Sequence, residues 1–98
     1  GTVTANSDER LKENIVGITN ALDKVLDMRG VYFNRKGDPE RSIGVIAQEV
    51  DALGLPGLVQ ERENGDLAVR YEKLIPILIE AVKELSDKVS ILEQSLNN

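Results

Sequence analysis

A hydroxyl and an amine lie close together near the start of this 98-residue chain, at Ser7 and Lys12. A serine hydroxyl becomes a useful nucleophile when a base takes its proton, and a neutral lysine amine can be that base. An unperturbed lysine is poorly suited, because roughly 1 in 2,500 is neutral at pH 7 with a pKa near 10.4. Burial or a nearby cation, such as Arg10, would have to favour the neutral form. The spacing is awkward as well. In a strand the two side chains point to opposite faces, and on a helix they lie roughly 140° apart. They meet only if the backbone changes course between them, or if Ser7 caps a turn and Lys12 folds back. Ser7 as an ordinary helix cap is the plainer reading of the same residues.

Little other catalytic chemistry is open to this composition. The chain has neither histidine nor cysteine, which removes histidine-based triads, thiol nucleophiles, disulfides, and zinc held by imidazole or thiolate. No metal site and no cofactor is expected. Glu49 beside Gln48 could line a site, although a solvated face explains it equally. Arg29, Arg35, Lys36 and Arg41 make a modest basic patch, but 12 basic against 17 acidic residues give a net charge of −5. That balance argues against nucleic acid as a partner. The longest apolar run, Leu74 to Ile79, is broken by Pro76 and falls well short of the roughly 20 residues of a membrane span. Apolar residues are 41% of the chain, but Tyr32, Phe33 and Tyr71 are the only aromatics. A body this small and aliphatic is marginal alone, and association is the usual remedy.

The elements that must position these groups are legible from local signals. Gly1-Thr2-Val3-Thr4-Ala5-Asn6 has no initiator methionine and reads as the tail of something longer. A turn capped by Ser7 or Asp8 follows, with Asp8 and Glu9 suited to a positive helix start. Thr19 or Asn20 then caps a helix over roughly 20–28, with Ala21, Leu22, Val25 and Met28 at helical spacing and Gly30 as terminator. Val31-Tyr32-Phe33 and Ile43-Gly44-Val45-Ile46 read as strands around the turn chemistry of Gly37-Asp38-Pro39. A short helix is expected from Ala47 to Leu53, closed by Gly54. Leu58–Glu61 and Leu67–Arg70 flank Asn64-Gly65-Asp66, a strong hairpin signal.

The last segment, from Tyr71 to about Leu96, carries the clearest periodicity. Ile75, Leu78, Val82, Leu85, Val89, Leu92 and Leu96 alternate in steps of three and four, a heptad seam with Ile75, Val82, Val89 and Leu96 at a and the leucines between them at d. Lys88 at g and Glu93 at the next e suit an interchain ion pair. Leu74 at g and Ile79 at e widen the apolar face near the helix start. An amphipathic helix packed on its own domain is the plain alternative to self-association. Branched a residues with leucine at d lean towards two strands, so the seam alone does not set the number of chains.

Three stretches in order carry a family resemblance. Ser7-Asp8-Glu9-Arg10-Leu11-Lys12-Glu13-Asn14-Ile15, then Ile43-Gly44-Val45-Ile46-Ala47-Gln48-Glu49-Val50, then Tyr71-Glu72-Lys73-Leu74-Ile75-Pro76 leading to Glu80-Ala81-Val82-Lys83-Glu84-Leu85 resemble the self-cleaving C-terminal intramolecular chaperone domains of phage endosialidases, tailspikes and tail fibres. A related domain occurs in a membrane-bound animal transcription factor precursor. The resemblance covers residues 7 to about 96.

It implies a homotrimer that helps an upstream fibrous passenger of the same precursor to fold and then releases itself. The implied scissile bond is Asn6–Ser7, with Ser7 as nucleophile and Lys12 as general base of a single-turnover serine endopeptidase. Assembly would take place in the host cytoplasm, with the domain released from the mature virion fibre. The expected fold class is α+β: a small mixed body of short helices and β-hairpins, then a long helix forming a parallel trimeric coiled coil through Ile75, Leu78, Val82, Leu85, Val89, Leu92 and Leu96. The expected division is a passenger remnant over 1–6, a chaperone and autoprotease body over 7–70, and a trimerisation helix over 71–98. The alternative function is a trimerisation module without cleavage, belonging to a fibre or to a membrane-bound transcription factor precursor.

Overall fold

A single helix, Leu74–Leu96 (α3), forms the long axis of the computed structural model, which describes residues 4–97. Residues 1–3 and 98 lie outside the described residues, and with them half of the expected remnant 1–6 and the last position of the expected helix 71–98. A 3₁₀ turn over Tyr71–Lys73 leads into α3. Pro76 is tolerated in the first turn, where its missing N–H would have had no intrahelical partner.

Two short helices and two hairpins precede α3. Helix α1 is Ala21–Leu26; strands β1 (Val31–Asn34) and β2 (Arg41–Gly44) form an antiparallel hairpin in which Tyr32 faces Ile43 and Val31 faces Gly44. Helix α2 is Ala47–Asp51. Strands β3 (Val59–Glu61) and β4 (Leu67–Val69) form a second antiparallel hairpin, with Val59 opposite Val69. The architecture is α+β: two small hairpins, two short helices and a long C-terminal helix.

The hairpin over Asn64-Gly65 is closed by three residues. Arg62 N–H donates to the Asp66 carbonyl at 2.8 Å and Gly65 N–H to the Arg62 carbonyl at 2.9 Å. Gly65 takes φ +89°, a turn followed by a left-handed residue, which a glycine fills at no steric cost. In the first hairpin, Asn34 stitches the loop by donating to the carbonyls of Asp38 and Glu40 at 3.2 and 3.0 Å.

Three expected boundaries move. The strand expected to reach Ile46 stops at Gly44, because the N–H of Val45 donates to the Tyr71 hydroxyl at 3.1 Å instead of to a ladder partner. The helix expected over 20–28 ends at Leu26 with Asp27 as its C-cap, so Gly30 is not its terminator. Asn20 does sit at the N-cap of α1, but with φ +57° and no side-chain bond to the helix. The helix expected over 47–53 is regular only to Asp51; a turn follows, and Gly54 at φ +70° closes it as expected.

The core is small. Ala21, Val50, Leu58, Ile77 and Ala81 are buried, with Leu22, Val25, Val69 and Leu74 among the side chains packed around them. Helix α3 meets this core through Leu74, Ile77, Ala81 and Glu84, at g and c of the heptad, while every described residue from Leu85 onward is exposed. Its first half therefore packs on α1 and its second half projects from the body.

Candidate functional site

Asp8 begins the local structure around Ser7. It is the N-cap of a 3₁₀ turn over Glu9–Leu11, and its Oδ1 accepts from the Arg10 N–H at 2.9 Å. Two backbone bonds close the turn: Leu11 N–H to the Asp8 carbonyl at 3.1 Å and Lys12 N–H to the Glu9 carbonyl at 3.0 Å. Arg10 then folds its guanidinium onto the capping carboxylate, Nη2 donating to Oδ2 at 2.7 Å and Nε to both oxygens at 3.2 Å. These bonds hold the Asp8 carboxyl below the ordinary carboxylate range.

The chain leaves the turn extended at Lys12, φ −119° and ψ 147°. That change of course returns the side chain to Ser7. Lys12 Nζ lies 2.7 Å from Ser7 Oγ and 3.3 Å from the Ser7 carbonyl oxygen. With Asp8 as the cap, the Ser7 hydroxyl is not used for capping. The pairing is made within one chain, and Asn6, Ser7 and Lys12 are all exposed.

The other sequence candidates are engaged differently. Glu49 receives a two-pronged bond from Arg29, Nε to Oε1 at 2.9 Å and Nη2 to Oε2 at 2.8 Å, which holds its carboxyl below the ordinary range. Gln48 lines an open groove between the hairpins with Arg62 and Tyr71. Three of the four basic residues are engaged separately: Arg29 is on Glu49, Arg35 lies over the Phe33 ring and Arg41 over the Tyr32 ring, the last two each 5.7 Å from the ring centroid. Among the described residues no acidic cluster is arranged to hold a metal ion, and no helix is long and apolar enough to cross a membrane.

The seven heptad residues are all exposed. Ile75, Leu78, Val82 and Leu85 are between 45 and 64% exposed, and Val89, Leu92 and Leu96 between 45 and 85%. Ile75, Leu78, Ile79 and Val82 line one shallow, almost wholly apolar groove. Ile79 widens that exposed face, whereas Leu74 turns to the core. A hollow of about 250 Å³ between Val25, Met28, Leu74, Ile77 and Leu78 joins the start of the seam to the core. Sequence reading missed Ile77 and Ala81 as the body-facing residues; their i, i+4 spacing beside Leu74 was the available signal, masked by the stronger seam.

Comparison with known proteins adds a family. A peptidase-family model described as chaperone of endosialidase matches residues 7–60, more than half the chain, starting at Ser7. The long tail fibre protein Gp37 of Enterobacteria phage K3 is 40% identical over 103 residues, covering 96% of this chain and 8% of the fibre protein. Gp37 of Enterobacteria phage T2 is also 40% identical over 103 residues, with the same shares. The chain thus spans less than a tenth of the length of these curated relatives.

Proposed function

Because the chain belongs to the chaperone-of-endosialidase family, we propose that it is the assembly module of a phage fibre, which associates as a trimer, assists the folding of an upstream passenger, and releases itself by one round of autoproteolysis at Asn6–Ser7. The observation that carries the reading is the 2.7 Å approach of Lys12 Nζ to Ser7 Oγ, made within a single chain. The relatives are long tail fibre proteins of two phages, which supports a phage-assembly context; in this reading the module acts in the host cell and leaves the finished fibre.

The chemistry follows from that pairing. Neutral Lys12 takes the hydroxyl proton as Ser7 Oγ attacks the carbonyl carbon of Asn6. The Asn6–Ser7 C–N bond then breaks, and the new ammonium returns its proton to the departing Ser7 nitrogen. An ester now joins the Asn6 acyl group to Ser7 Oγ. Water hydrolyses it, leaving a carboxylate on Asn6 and a free amine and hydroxyl on Ser7. A lysine amine serves as a base only when neutral, and burial is what favours that form. Ser7 and Lys12 are exposed in the single chain, so the reading requires another surface, from the passenger or a second copy, to close over them.

The proposed division is a passenger remnant to Asn6, a body over 7–70 and an association helix over 71–98. Helix α3 serves both ends of the task, since Ile77 and Ala81 belong to the body's core while the seam residues are left for partners. The second reading is a trimerisation module that does not cleave; the exposure of the dyad favours it. Cell-free synthesis of the full chain with its native upstream residues separates the two. Release of a fragment beginning at Ser7, abolished by Ser7→Ala and by Lys12→Ala, is expected; uncut protein from the unaltered sequence would overturn autoproteolysis.

A further inference from the structure

Resting on the Ser7–Lys12 reading, a second question is what holds two residues five positions apart in bonding contact. The reversal is made by one 3₁₀ turn with two backbone bonds. Isolated helical turns fix several backbone angles for very few bonds and do not persist unaided. Among the described residues this turn packs against no helix or strand, and none of its residues is buried. The apolar core therefore does not hold it.

One side chain does. The Asp8 carboxylate caps the turn through the Arg10 N–H at 2.9 Å and is itself gripped by the Arg10 guanidinium at 2.7–3.2 Å. We propose that Asp8 is the positioning residue of the dyad, with Arg10 as the lock that keeps its carboxylate in the capping orientation. Asp8 takes no proton and touches no reacting atom in this assignment. It fixes the turn from which Lys12 reaches back to Ser7. Arg10 thereby has a role other than the one its proximity to Lys12 suggested, since its charge is directed onto Asp8. An exposed ion pair adds little to global stability, so its effect falls on the geometry of the dyad and not on the fold.

The test is the rate of cleavage during cell-free synthesis of the full chain with its native upstream residues. Asp8→Ala removes cap and fork together and should slow cleavage by roughly 10- to 100-fold, the scale of a misplacement of about 1 Å. Asp8→Asn keeps a capping acceptor for the Arg10 N–H, because asparagine caps about as well as aspartate, and should recover most of the rate. Arg10→Ala likewise keeps the cap and loses the lock, and should cleave at about the rate of Asp8→Asn. In a Ser7→Ala background, Asp8→Ala should leave thermal unfolding and sedimentation unchanged. Cleavage of Asp8→Ala at the parent rate would overturn the assignment. So would an Asp8→Asn chain as slow as Asp8→Ala, which would make the carboxylate a chemical participant, or a loss of folding in the Ser7→Ala background. Continued cleavage of Ser7→Ala alone would instead sink the dyad and this assignment with it, and is read independently of the Asp8 variants.

Discussion

Glu84, in the middle of α3, caps the start of α1: its Oε2 accepts from the N–H of Ala21 at 2.9 Å and its Oε1 from the N–H of Leu22 at 3.2 Å. Asn20, at the cap position in the sequence, makes no such bond, so a carboxylate more than sixty residues away satisfies the helix start. Ala21 is completely buried. The polar contact thus sits beside the hydrophobic one between the two helices, and it fixes the register of α3 on the segment that leads from the Ser7–Lys12 pair.

Removing that cap should be costly for a protein with so few buried side chains. Glu84→Ala leaves two amides without acceptors at a helix start, where unsatisfied buried groups cost about 1–3 kcal/mol. Glu84→Gln retains one good acceptor and should lose less. Chemical denaturation of both variants checks the order, and equal stability of Glu84→Ala and the unaltered chain would show the contact to be incidental.

Gly44 and Tyr71 give a second, independent test. A Cβ at Gly44 would stand 2.5 Å from the Tyr71 hydroxyl oxygen and 3.1 Å from Phe33 Cε1. Gly44→Ala must displace the tyrosine and break its bond to the Val45 N–H, and overpacking of this kind costs about 1–3 kcal/mol. Tyr71→Phe alone loses a single hydrogen bond, about 0.5–1.5 kcal/mol. The double variant should be more stable than the sum of the two predicts, because removing the hydroxyl removes the closest clash. Simple additivity in a double-mutant cycle would refute the steric account.

The contrast between these contacts and the expected elements explains what a sequence of this kind discloses. The hairpin at Asn64-Gly65, the glycine stop at Gly54 and the long helix were readable because each rests on local chemistry: a left-handed residue or a repeated apolar spacing. The Ser7–Lys12 approach was legible as a possibility, through the need for a change of course, and the family resemblance named the same pair. Asp8's capture of the cap was one of two local options. The Glu84 cap, the Tyr71 bond that ends β2, and the choice of Ile77 and Ala81 for the core depend on elements meeting across the fold, for which neighbouring residues carry no signal.

Acid should weaken the link between α2 and the segment after α1. Hydrogen bonds from Arg29 hold the Glu49 carboxyl lower in the folded chain than its ordinary value, near 4.3 for an unfolded glutamate. A lowered folded value means that the contribution is fully present above the unfolded value and is lost as pH falls through the folded one. Arg29 is exposed and Glu49 only half-buried, so the effect is small and screened by salt. The unaltered protein should lose stability more steeply than Glu49→Gln below about pH 4.3, and the difference should shrink in high salt. Parallel acid limbs for the two proteins would show that the pair does not contribute.

The two faces of α3 predict opposite failures from substitutions four residues apart. Leu85 is half exposed in the single chain and stands at a d position, where an aspartate from each copy would face its partners. Burying unpaired carboxylates costs several kcal/mol, and the cost recurs in every subunit. Leu85→Asp should therefore sediment at one chain mass, 10.8 kDa, where the proposed trimer of the unaltered chain should sediment at three. Ala81 is buried in the core cluster with Ala21, Val50, Leu58 and Ile77. Ala81→Leu should lower the unfolding midpoint of the body by forcing α1 and α3 apart, about 1–3 kcal/mol for an overpacked core. If the body is short of reserve, as its small core suggests, losing association will lower stability too, so the discriminating reading is mass, not midpoint. A folded single chain from the unaltered protein at micromolar concentration would remove the association seam from α3. A stable dimer would show that branched residues at a with leucine at d had set the number of chains.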